Sequence, residues 1–111
     1  HMTQAQAQRI IGEMVESIVK RFDPEKVILF GSRARGDARP DSDVDLIVVM
    51  SSWEGKRHDK CVEIRGALHD IHVAKDIFII TPKELELHQN IPGTLGRAAY
   101  RHGRILYERL H

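Results

Sequence analysis

The stretch Val27-Ile28-Leu29-Phe30-Gly31-Ser32-Arg33-Ala34-Arg35-Gly36-Asp37-Ala38-Arg39-Pro40-Asp41-Ser42-Asp43-Val44-Asp45-Leu46-Ile47-Val48-Val49-Met50 is an apolar run, a polar loop and a second apolar run. This pattern predicts two β-strands bracketing a loop. At the end of the first run, Gly31 can take backbone angles closed to other residues and lets a phosphate approach the main chain, while Ser32 suits the N-cap of a short helix. A helix N-terminus there would attract phosphate oxygens. In the second run the side chains of an extended strand alternate, so Asp43 and Asp45 project together and Val44 and Leu46 point the other way. Carboxylates that close repel and raise each other's pKa. A hard divalent ion with oxygen ligands best explains the pair.

Each piece alone has a plainer explanation. Gly-Ser follows many strands without touching phosphate, and an isolated Asp-x-Asp is often no metal site. In this order and spacing the two become far more specific. Arg33 and Arg35, more than Arg39, could neutralise a triphosphate, although loop arginines are commonly solvated. Asp37 and Asp41 read as turn residues beside Gly36 and Pro40 and are left out of the site.

Gly31-Ser32-Arg33-Ala34-Arg35-Gly36, five residues, then Ser42-Asp43-Val44-Asp45-Leu46 resembles the signature of the DNA polymerase beta superfamily of nucleotidyltransferases, and within it the minimal nucleotidyltransferase branch. That resemblance is strong over residues 27–50 and extends, by layout and length, over nearly the whole chain. It implies an α+β fold: a polymerase-beta-like palm, with a small mixed sheet flanked by helices. It further implies two Mg²⁺ ions held by three carboxylates, and transfer of a nucleoside monophosphate from a nucleoside triphosphate, most commonly ATP, to an acceptor hydroxyl. On the matching positions, Gly31, Ser32, Arg33, Arg35 and Ser42 would contact the nucleotide. Many members of the branch resemble antitoxins paired with HEPN-type toxins.

The third carboxylate must come from another strand. Val73-Ala74-Lys75-Asp76-Ile77-Phe78-Ile79-Ile80 is a β-branched, aromatic-containing run with Asp76 near its start, as Asp43 and Asp45 are near the start of theirs. If these two strands run parallel, joined by a helical crossover over residues 56–70, all three carboxylates reach one sheet edge. The end of the first strand reaches it too if that strand is antiparallel. Asp70 is the rival, placed at the expected end of the crossover helix between His69 and His72. Asp43, Asp45 and Asp76 are thus the expected catalytic and metal-binding residues. Two ions about 3.5–4 Å apart would be bridged by Asp43 and Asp45, and Asp76 would hold one of them and serve as general base.

Composition fits one modest domain spanning residues 1–111: 41% of the residues are hydrophobic and the formal charge is +1, too balanced to advertise a nucleic-acid partner. His1-Met2 resembles a remnant of an expression vector. The single cysteine, Cys61, excludes an internal disulfide and is expected to pack in the crossover helix. No apolar run approaches the roughly 18 residues of a membrane span and no signal peptide is evident, so a cytoplasmic location is expected. Seven histidines build no zinc site, because His69 and His72 lack further ligands at suitable spacing.

The remaining chain reads as scaffold. Ile10, Ile11, Met14, Val15, Ile18, Val19 and Phe22 recur at helical steps, and Asp23-Pro24 ends that helix. Thr81-Pro82-Lys83-Glu84 carries the N-cap, first-turn proline and glutamate of a capping box. A last helix is expected to start near Pro92, to turn Leu95, Ala98, Ala99 and His102 inward and to stop at Gly103, with Ile105-Leu106-Tyr107 as a short edge strand. Trp53 could stack on a base or anchor its loop. Arg97, Arg101, Arg104 and Arg109 could meet an acidic partner, although solvated faces explain them.

Three functions are compatible with this reading. The first is adenylylation of a protein hydroxyl, with a tyrosine of a HEPN ribonuclease as the acceptor the resemblance implies. The second is a non-catalytic antitoxin that covers its toxin. The third is small-molecule adenylylation, for which 111 residues leave little room unless a partner or a homodimer supplies the acceptor wall.

Overall fold

In the computed structural model, which describes residues 2–110, five helices surround a four-stranded sheet. His1, one of the two residues read as a vector remnant, lies outside the described residues. Helix α1 (Gln4–Phe22) starts at a capping box between Thr3 and Gln6 and stops at Asp23, whose φ of 48° is left-handed. Pro24 follows and cannot continue a helix. Strand β1 (Lys26–Phe30), the single turn α2 (Ser32–Arg35) and strand β2 (Val44–Val49) carry the stretch that opened the reading. Helix α3 (Arg57–Gly66) crosses over to β3 (Lys75–Ile80); α4 (Pro82–His88), α5 (Leu95–His102) and β4 (Arg104–Glu108) complete the chain.

The sheet order is β3-β2-β1-β4. β1 pairs antiparallel with β2 and with β4, whereas β2 and β3 are parallel, as the α3 crossover requires. Being central, β2 is buried on both faces from Leu46 to Val49 and reads as a continuous apolar run. On one face Val44, Leu46 and Val48 pack with Val27, Leu29, Ile77 and Ile79 under Met14 and Ile18 of α1 and Ile64 of α3. On the other, Ile28, Ile47, Val49 and Ile80 pack with Ala99 of α5, and Phe30, Phe78, Leu85 and Leu95 complete the cluster. The α4–α5 pair covers only part of this second face.

The last helix departs from expectation. It begins at Leu95, not near Pro92, because Pro92-Gly93 forms a turn, with Gly93 at a φ of 84°, and Thr94 takes the N-cap by accepting from the Arg97 N–H. Leu95 and Ala99 join the second core and Ala98 is half-buried, but His102 is exposed. Gly96 is buried instead. A Cβ there would lie 2.8 Å from His88 Cβ, so this glycine sets the approach of α5 to α4. Gly103 ends the helix as expected, without left-handed backbone; a side chain there would strike the Ala99 carbonyl and Ile28.

Candidate functional site

The parallel register places Asp45 directly beside Asp76, and the antiparallel register places Phe30 on the other side of Asp45. Gly31 follows Phe30, so the end of β1 and the starts of β2 and β3 meet at one sheet edge. Alternation puts Phe30, Asp45 and Asp76 on the same face as Phe78, where the Phe30 and Phe78 rings meet edge to face at 5.5 Å. The aspartates therefore stand on an aromatic floor at the margin of the second core. Asp70, the rival third carboxylate, lies in the exposed turn after α3, away from this register.

Asp45 is the half-buried member of the trio, and Asp43 and Asp76 are exposed. Burial pushes the Asp45 pKa up, the charges of Asp76 and then Asp43 raise it further, and a hydrogen bond with the Asp76 side chain adds to the effect. Arg35 opposes these with a smaller attraction. A carboxyl crowded by two others is short of positive charge, which is the condition a divalent cation relieves.

Gly31 has a φ of 73° and a ψ of −160°, a region essentially closed to residues with a side chain. A Cβ would also enter the volume of the Asp45 carboxylate, with Asp45 Cγ at 3.3 Å. The N-cap position of α2 falls on Gly31 and not on the expected Ser32, which is the first helical residue and makes no capping bond. A four-residue turn also has almost no macrodipole. What such a turn offers an anion is its leading N–H groups, those of Ser32 and Arg33, which have no carbonyl partner within the turn.

Between the cradle and the aspartates the loop is organised from within. Ser42 accepts from the Arg39 N–H on its hydroxyl at 2.8 Å, and its own N–H donates to the Arg39 carbonyl at 3.0 Å. Arg33 donates from Nε and Nη2 to the Ser42 carbonyl at 3.1 and 2.9 Å, and from Nη2 to the carbonyls of Arg39 and Pro40 at 3.3 and 3.4 Å. Arg35 is exposed and pairs at 3.4 Å with Asp37, itself solvated. Nothing in the composition of the loop signalled this inward use of Arg33.

Elsewhere the structure assigns contacts to residues with open readings. Trp53 is half-buried against the first core with the Arg57 guanidinium 5.1 Å from its ring centre, an anchored position. Arg57 also reaches the Ile79 carbonyl and, at 3.0 Å, Glu84, tying α3 to the capping box of α4. Arg109 pairs with Glu25 at 3.0 Å and with Asp23 at 3.1 Å, and Arg97 donates to the Gln89 carbonyl at 3.2 Å. Cys61 is half-buried in the crossover helix, and burial raises its pKa.

Asp43, Asp45 and Asp76 supply only carboxylate oxygens, the donor type a hard divalent ion prefers, and the absence of a side chain on Gly31 leaves the room that the Asp45 carboxylate occupies. Among the described residues no three carboxylate, imidazole or thiol groups stand in an arrangement that could hold a metal ion. Asp45 and Asp76, side by side in register, offer donors of the type Mg²⁺ takes, and Asp43 is exposed one residue ahead of β2. Among the described residues no helix is long and apolar enough to cross a membrane.

A family model described as polymerase beta, nucleotidyltransferase matches residues 13–111. No curated protein matches the chain significantly. Among solved structures, a candidate nucleotidyltransferase from Sulfolobus solfataricus superposes with a TM-score of 0.70 at 24% identity, covering 96% of this chain and 84% of that one. A toxin–antitoxin structure with AMP-PNP superposes at a TM-score of 0.55 and 16% identity, covering 88% of this chain and 73% of that one. A mutant of the toxin–antitoxin MntA–HpeT does so at 0.53 and 14%, with the same coverage. With the family model matching nearly its whole length, the chain belongs to the polymerase beta nucleotidyltransferase family.

Proposed function

We propose that the chain is a Mg²⁺-dependent nucleotidyltransferase that moves AMP from ATP to a protein hydroxyl, with a tyrosine of a HEPN-type toxin as acceptor. The observation that carries this reading is the register: Asp45 stands beside Asp76 at the sheet edge that Gly31 also reaches. Gly31 and Ser32 would bind the terminal phosphates through main-chain N–H groups, and Arg35 would neutralise part of their charge. Asp43, Asp45 and Asp76 would hold two Mg²⁺ ions, which when bound polarise the phosphates and lower the pKa of the acceptor hydroxyl. The acceptor oxygen bonds to the α-phosphorus as the bond to pyrophosphate breaks, and Asp76, exposed at the rim, takes the hydroxyl proton.

The likeness in fold to a toxin–antitoxin structure carrying AMP-PNP supports a toxin partner and an adenine nucleotide. A cytoplasmic location belongs to the same reading. Incubating the chain with α-labelled ATP, Mg²⁺ and a co-encoded HEPN protein is expected to label that protein on tyrosine. Intact ATP and no label after prolonged incubation would overturn it.

A further inference from the structure

We infer that Arg33 is a positioning residue for the transfer site and not a ligand of the nucleotide. This rests on the transferase reading above and deepens it. Arg33 lies in α2, one residue past the Gly31-Ser32 cradle, yet its guanidinium is directed at the main chain of the following loop, at the carbonyls of Arg39, Pro40 and Ser42. The strongest pair, Nε and Nη2 on the Ser42 carbonyl, grips the residue immediately before Asp43. Ser42 and Arg39 close the same turn by their reciprocal bonds. On the far side, the Val44 N–H donates to the Ala74 carbonyl at 2.9 Å and begins the parallel ladder that sets Asp45 beside Asp76.

The loop is therefore held at both ends, by Arg33 to the cradle and by β3 to the third carboxylate. Arg33 couples the part that would hold phosphate to the part that would hold metal. Arg35, exposed and with its charge felt at Asp45, is the arginine left to face the nucleotide.

The planar fork of arginine is what this task needs. Two nitrogens on one carbonyl and a third and fourth contact beyond cannot be reproduced by a single ammonium, although an ammonium keeps the charge. Arg33→Lys thus separates the two roles: a phosphate contact would largely survive it, and a brace would not.

The test has two readouts on the full chain. In amide hydrogen exchange without nucleotide or metal, Arg33→Lys is expected to speed exchange at Arg39 and Ser42 at least tenfold while leaving β1 and α1 unchanged; Arg33→Met should do the same, and unchanged α1 protection verifies that both variants fold. In AMP-PNP binding, Arg33→Lys should stay within twofold of the parent in EDTA and lose most of the gain that Mg²⁺ confers. Arg35→Met, which removes the charge, should weaken binding in both conditions. Unchanged exchange at Arg39 and Ser42, or an equal loss of AMP-PNP affinity with and without Mg²⁺, would overturn the positioning role. A parent protein that binds AMP-PNP in neither condition would overturn the transferase reading and this role with it, while the exchange result would still decide whether Arg33 holds the loop.

Discussion

Gly31 and Asp45 share one volume: the position a side chain on Gly31 would take is filled by the Asp45 carboxylate. Backbone angles of 73° and −160° exclude a side chain there for a second, independent reason. Gly31→Ala is therefore expected to cost about 1–3 kcal/mol from backbone strain alone. The thermal midpoint should fall by at least about 4 °C, since a domain near this size moves about 4–8 °C per kcal/mol. Displacing Asp45 should also abolish the Mg²⁺-dependent part of nucleotide binding. A thermal melt with and without Mg²⁺ and AMP-PNP measures both effects.

Asp45 is held in the folded protein with its pKa above the ordinary value, first by burial and then by Asp76 and Asp43. Between the unfolded and the raised folded pKa the folded state binds more protons, so stability falls as pH rises through that window. In the metal-free protein, Asp45→Asn should raise the midpoint at pH 7 by a few degrees and flatten its decline above pH 4. The same variant should lose the stabilisation that Mg²⁺ with AMP-PNP gives the parent. Melts in EDTA across pH 4–7 give the first result; a variant less stable than its parent there would contradict the crowding argument.

Removing both ends of the Asp-x-Asp pair separates catalysis from coverage. Asp43→Ala with Asp45→Ala should lower label transfer by about 10³-fold or more, because metal-held charge is worth several kcal/mol in the transition state and each 1.36 kcal/mol is tenfold in rate. If transfer is how a toxin is neutralised, cells producing the toxin with this variant should stop growing. Growth equal to that with the parent would favour simple blocking.

Glu84 behaves oppositely to Asp45. The Arg57 side chain, first, and then the Thr81 N–H hold its carboxylate below the usual pKa. Its contribution is complete above the unfolded value near 4.5 and is lost as pH falls through the lower folded one. Glu84→Gln keeps the capping box, as Gln6 does in α1, and loses the ion pair with Arg57, so it should cost at most about 1 kcal/mol at pH 7. The difference from the parent should shrink as the melt is moved to pH 3.

The sequence announced those parts of this molecule that depend on local pattern. Apolar runs and β-branching marked β1, β2 and β3, helical spacing marked α1, and Thr81-Pro82-x-Glu84 marked the start of α4. Asp76 was reachable because parallel pairing through a helical crossover leaves few registers, and the observed one sets it against Asp45. Other features depended on contacts between distant segments and left no local trace. Arg33 looks like any loop arginine until the carbonyls it meets are known. Gly96 reads as a weak point in a helix until His88 is seen against it. His102 shares the helical spacing of Leu95 and Ala99 but is the last residue of the helix, where it is exposed.

The third carboxylate sits on β3, an outermost strand of the sheet, whereas its neighbour Asp45 sits on β2 within it. The strand's place at the margin does not make it loose, because Ile77 and Ile79 are buried in the first core and Ile80 in the second. A segment held by that many buried contacts opens only when the cores open. Heating should therefore silence transfer and melt the chain together, so that activity followed against temperature tracks the packing of one six-residue segment into both layers.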